Sequence, residues 1–130
     1  MFFNIFSFAL DRGEFDGAAS ARKHEMPKYV LAYHGGLKSM TAEEGRTHMK
    51  NWKAWMDGLG SAVVDRGLAV GKSHTAGPDG ITEDGGSNPL GGFSVVEAAD
   101  MKAALEMARR SPHVAIGGTI EVAPALDMPM

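Results

Sequence analysis

Lys28-Tyr-Val-Leu-Ala-Tyr-His34 limits the possible folds more than any other segment of the chain. It is rich in strand-forming residues and ends at Gly35-Gly36, so it reads as an extended strand. An antiparallel strand with one wet face alternates apolar and polar residues. Here Tyr29, Leu31 and Tyr33 point one way, while Val30 and Ala32, with His34, point the other. Gly91-Gly-Phe-Ser-Val-Val96 repeats the pattern, with Phe93 and Val95 opposite Ser94 and Val96. A sheet built from these strands needs cover on both faces. Only two helical patterns are legible along the chain, enough for one face. The expectation is therefore a homodimer formed through the open sheet face, two copies related by a two-fold axis.

The first helix opens at Thr41-Ala-Glu-Glu44, a capping box in which the Thr41 hydroxyl and the Glu44 carboxylate satisfy each other's backbone amides. Gly45, His48, Met49, Trp52, Trp55, Met56 and Leu59 then recur at steps of three and four as one helical stripe, stopped by Gly58 and Gly60. Ala62–Asp65 reads as a short second strand, bent near Gly67, with Leu68–Thr75 as its irregular continuation. Residues 76–88 (AGPDGITEDGGSN) read as a turn-rich loop. Asp100 caps a second helix whose apolar face is Met101, Ala104, Leu105 and Ala108, with Pro112 as its stop. Thr119–Val122 is the last strand. The order βαββαβ predicts an α+β class, ferredoxin-like antiparallel sheet with two helices on one face.

Composition excludes several functions. The 130 residues suit one domain. No cysteine is present, which removes disulfide frameworks, thiolate metal sites and cysteine nucleophiles. Thirteen Lys and Arg against 16 Asp and Glu give a net charge of −3 without a basic run, which argues against nucleic-acid binding and polybasic membrane attachment. Residues 1–25 read as an extension before a 26–130 domain. Its Met1–Leu10 stretch is too short to span a bilayer, and no Lys or Arg precedes it as in a secretory signal. A cytoplasmic protein is expected, with Phe2, Phe3, Ile5, Phe6, Phe8 and Leu10 of the extension covering apolar surface of the same or a neighbouring subunit.

The candidate chemistry lies mainly in histidines. None of His24, His34, His48, His74 and His113 stands in an HxxxH or HExxH pattern, so neither a metal nor a cofactor is expected. His48 lies on the apolar stripe of the first helix, four residues before Trp52. A partly desolvated imidazole there suits general acid–base work, or equally a hydrogen-bonded place in a core. Trp52, Trp55 and Tyr33 are candidate pocket walls, and His74, Asp79, Asp84 and His113 candidate binding groups.

The chain from Lys28 to about Ala123 resembles the YCII-related (DGPF domain) proteins. The resemblance rests on Tyr29–Tyr33, Trp52-Lys-Ala-Trp-Met56 with Leu59-Gly60, Asp84-Gly-Gly-Ser87, Leu90-Gly-Gly-Phe93 and Ala104–Ala108. Its most specific part is Ser111-Pro-His-Val114 followed by Gly117-Gly-Thr-Ile-Glu-Val122. Asp79-Gly80 is followed by Ile81-Thr82, where many relatives have Pro-Phe. The resemblance implies a dimeric α+β barrel with a pocket between the first helix, the sheet and the partner. Some relatives pair a histidine on that helix with an aspartate just before the helix-ending proline. His48 matches the first position, but Ser111 stands at the second. Two functions follow: a small molecule bound near His48 without assigned chemistry, or a small-molecule lyase or isomerase using His48 as general acid or base beside Ser111.

Overall fold

The computed structural model describes residues 26–36 and 39–128. The 1–25 extension, with the docking expected of its phenylalanines, lies outside the described residues. Strands β1 (Lys28–Gly35), β2 (Val63–Ala69), β5 (Leu90–Glu97) and β6 (Gly118–Pro124) form an antiparallel sheet in the order β2-β5-β1-β6. Helices α1 (Ala42–Leu59) and α2 (Met101–Arg109) pack on one face of it. This is the ferredoxin-like α+β arrangement, with the sheet open in the single chain.

The local signals act as expected at both long helices. At α1, Glu44 N–H donates to Thr41 Oγ1 at 3.0 Å, while Thr41 N–H donates to Glu44 Oε1 at 2.9 Å. Gly60, at φ 59°, ends the helix by turning its N–H back to Met56 and Asp57. At α2, Ala103 N–H donates to Asp100 Oδ1 at 2.9 Å.

The core sits between the helices and one sheet face. Tyr29, Leu31 and Tyr33 of β1 and Val96 of β5 meet Ala104 and Ala108 of α2 in its buried set, with Trp52, Trp55, Ile120 and Val122 packed around them, and Met56 of α1 is buried as well. Burying a side chain such as the fully covered Leu31 contributes about 1.5–3 kcal/mol. Across the sheet, Val30, Ala32, Phe93 and Val95 occupy the opposite face and are half-buried. His34 also lies there, where its Nδ1 faces the carbonyl oxygens of Asn88 (3.0 Å) and Pro89 (3.2 Å) and its Nε2 stands 3.1 Å from Glu121 Oε1. The ring thus ties the segment before β5 to β6.

Four details depart from the expectations. The turn-rich segment contains a hairpin, β3 (Thr75–Gly77) and β4 (Gly80–Thr82), turning at Pro78-Asp79. Pro112 does not simply stop α2; it is the first residue of a short helix α3 (Pro112–Ala115), which Ser111 caps by accepting from Val114 N–H at 3.2 Å. Met49 (63% exposed) and Leu105 (48%) are apolar members of their helical stripes that stand in solvent, because the sheet reaches only part of each apolar arc. The second strand runs unbroken through Gly67, its register against β5 slipping between Val63 and Asp65 and again before Leu68. A glycine with φ 76° at such an irregularity is the signature of a β-bulge.

Candidate functional site

The bulged part of β2, the facing part of β5 and α1 line a cavity of about 520 Å³. That volume lies within the range of small-molecule sites. Tyr33 and Ser94 line the cavity from the sheet, Trp52 and His48 from α1, and His113 from α3. Gly67, Gly91 and Gly92 line it too, and the missing side chain at Gly92 leaves room beside Tyr33, its cross-strand neighbour on the same face. Lys53 and Arg66 complete the rim.

An aromatic chain holds the inner wall. Tyr33 and Trp52 meet edge to face, ring centres 5.0 Å apart, and His113 stands in the same relation to Tyr33 at 5.5 Å. Such pairs add about 0.5–1.5 kcal/mol each to the burial of their surfaces. The Tyr33 hydroxyl donates to Ser94 Oγ at 2.7 Å, and Ser94 Oγ donates to the Arg66 carbonyl oxygen at 2.8 Å. Burial pushes the Tyr33 phenol above its ordinary pKa of 10.0, more than the bond to Ser94 lowers it. The folded protein therefore holds this proton more tightly than the unfolded chain. The stability so gained is complete below about pH 10 and is lost as pH rises through the folded value. A tyrosinate absorbance titration is expected to show a late component, and Tyr33→Phe to remove it and flatten the alkaline fall in stability. A variant with the same late component would assign it elsewhere.

His113 is seated by backbone. Its Nε2–H donates to the His34 carbonyl oxygen at 2.8 Å, which settles which ring nitrogen carries the proton. The imidazole lies over Gly118, where a Cβ would come within 2.5 Å of Cδ2, and against Gly36, where one would approach Cε1 to 3.3 Å. His48 is half-buried, its ring centre 5.9 Å from that of Trp52, between this cavity and a second of similar size lined by Thr41, Glu44, Asn51 and Pro112. Among the described residues, no carboxylate is hydrogen-bonded to His48 or His113, and none lines the main cavity.

The candidates separate into two groups. Tyr33, His48, Trp52 and His113 come together around the cavity. Ser111 is buried as the cap of α3 and lines neither cavity, while Trp55 turns to α2, where its Nε1–H donates to the Met107 carbonyl oxygen at 3.1 Å. His74, Asp79 and Asp84 are exposed in and around the β3–β4 hairpin, outside both cavities. There Asp84 Oδ1 accepts from Gly86 N–H at 2.9 Å, a turn-stabilising bond. Sequence reasoning missed Lys53, Arg66 and Ser94. Only Arg66, beside the bulge glycine, carried a local signal. Among the described residues, no three His, Asp or Glu side chains converge as metal ligands, and no helix is long and apolar enough to cross a membrane.

No curated protein matches the chain. The family model of the YCII-related domain does, over residues 26–129, which span the whole described fold. The chain belongs to the YCII-related domain family.

Proposed function

We propose that this protein is a homodimer that binds a small molecule in the cavity between α1 and the β2–β5 edge, without a chemical step assigned to it. The observation that carries the reading is the convergence of His48, Trp52, Tyr33 and His113, from three separate parts of the chain, on one opening of ligand size. An apolar, aromatic-walled space with a few polar groups suits binding and orientation. Proton transfer by His48 is the weaker reading, because Ser111 caps α3 and supplies the imidazole with no charged partner.

The dimer reading rests on the sheet face away from the helices. Val30, Ala32, Phe93 and Val95 form an apolar patch there that the two long helices among the described residues do not cover. A second copy laid against it by a two-fold operation covers both patches at once and completes an α+β barrel.

The two parts are tested separately. Sedimentation equilibrium at micromolar concentration is expected to return about twice the 13.8 kDa chain mass, and Val95→Asp to return the chain mass with folded circular dichroism. A wild-type protein that sediments as single chains overturns the dimer. In two-dimensional NMR, a panel of one-ring aromatic compounds at millimolar concentration is expected to contain members that shift the Trp52 indole and the Gly92 and Ser94 amides. A panel that moves none of them overturns the binding site.

A further inference from the structure

The charges around the cavity are of one sign. Lys53 reaches it from α1 and Arg66 from β2, while its remaining lining residues are neutral or histidine. The Arg66 guanidinium spans the gap between strand and helix, with Nη2 4.0 Å from Asp57 Oδ1 in the last turn of α1. Lys53 Nζ donates to the other oxygen of the same carboxylate at 2.8 Å. One exposed carboxylate thus stands between two cations, leaving the rim net positive. Asp57 reports that field: its carboxyl is held below its ordinary pKa, first by the Lys53 hydrogen bond and then by the Lys53 and Arg66 charges. Behind the rim the walls are the Trp52 and Tyr33 rings, with glycine at 67, 91 and 92. The cavity lining thus combines two cationic side chains with aromatic surface.

We infer that the ligand is a small planar aromatic monoanion, its ring against Trp52 and Tyr33 and its carboxylate at the Lys53–Arg66 rim. This inference rests on the binding reading above and adds the chemical class. Arg66 is the main reader of the anion, since a guanidinium presents paired donors to a carboxylate. Lys53 acts as the second cation. Asp57 competes with the ligand, holding both cations until the incoming carboxylate draws them from it. The rim is solvent-exposed, so the preference is modest and falls with ionic strength.

Three probes of similar simplicity separate the terms: benzoate carries ring and charge, benzamide the ring without charge, and acetate the charge without the ring. Titrations of the full chain are followed by the Trp52 indole resonance and by fluorescence, Trp52 and Trp55 being the only tryptophans. Benzoate is expected to bind about five- to tenfold more tightly than benzamide, and acetate more weakly than either. Arg66→Gln is expected to bring benzoate down to the benzamide level while leaving benzamide unchanged. Asp57→Asn acts in the opposite direction, raising benzoate affinity about twofold. Equal affinity for benzoate and benzamide, or an Arg66→Gln protein that weakens both alike, overturns the anion assignment and leaves the binding site standing. Acetate as tight as benzoate overturns the aromatic half. A Trp52 signal unmoved by both ring compounds overturns the inference, and one unmoved by the whole aromatic panel overturns the reading on which it rests as well.

Discussion

Gly67→Ala is expected to cost about 3–5 kcal/mol, a large share of the stability of a domain this size. The position combines two independent obstacles. Its φ of 76° lies in the left-handed region that side chains rarely adopt. A Cβ there would also run into the Phe93 carbonyl group, within 2.6 Å of its carbon and closer still to its oxygen. The obstructing atoms are backbone of the neighbouring strand, so no rotamer change relieves the clash. The strand must either leave β5 or lose its bulge, and losing the bulge shifts the register of every residue beyond it. Urea unfolding followed by circular dichroism measures the cost as a drop in midpoint. A cost below about 1 kcal/mol would mean that β2 repacks without its bulge. In that event the cavity, whose rim residue Arg66 and neighbour Leu68 flank Gly67, should be altered more than the stability.

The bulge also shows where sequence reading ended. Strands β1 and β5, and helix α1 from its capping box to Gly60, are legible because each rests on signals within a few residues: strand-forming runs, the Thr41–Glu44 pair, a glycine stop. The sheet and its two long helices follow from their order. The β3–β4 hairpin escaped because its strands have three residues each, all exposed, with no periodicity to read. Ser111-Pro112 fits two local patterns. A proline after a helix reads as a stop, but a serine before a proline is also the N-cap and first residue of another helix, and here it is both.

The site was half legible for a different reason. His48 and Trp52 are four residues apart on one helix, so their shared face follows from helical geometry alone. Tyr33 joins them because its strand face is fixed by alternation, and His113 because it lies in α3, just beyond α2. Ser94 is 61 residues from Tyr33, and its hydroxyl bridges Tyr33 to the Arg66 carbonyl oxygen across two strand pairings. Such a bridge depends on register, which the bulge in β2 moves by an amount no local pattern states. Asp79 lies in the turn of the separate β3–β4 hairpin and Asp84 just beyond it, both exposed and outside the cavities, and Asp84 is spent on its own turn.

Gly118→Ala is expected to cost about 2–4 kcal/mol, and the cost should depend on the side chain at position 113. Backbone conformation is not the obstacle, because Gly118 starts β6 in the pairing of Gly35 with Gly118. The obstacle is the imidazole of His113, which occupies the space an alanine methyl would take, with Cδ2 and Cε1 within 2.6 Å of it. To admit the methyl the ring must swing away, losing the bond from Nε2–H to the His34 carbonyl oxygen and the edge contact with Tyr33. That removes the side-chain donor from the His34 carbonyl and opens the inner wall of the cavity. His113→Ala alone should also destabilise, by leaving a void over Gly118 and removing the same hydrogen bond. The double variant should then cost clearly less than the sum of the two, because the alanine methyl at 118 enters space the ring no longer fills. A double-mutant cycle by urea unfolding reads this coupling directly. Additive costs would mean that Gly118 is required for some reason other than the seat it provides for His113. A coupling of about 1–2 kcal/mol in the predicted sense would establish that the glycine and the histidine form one unit of the cavity wall.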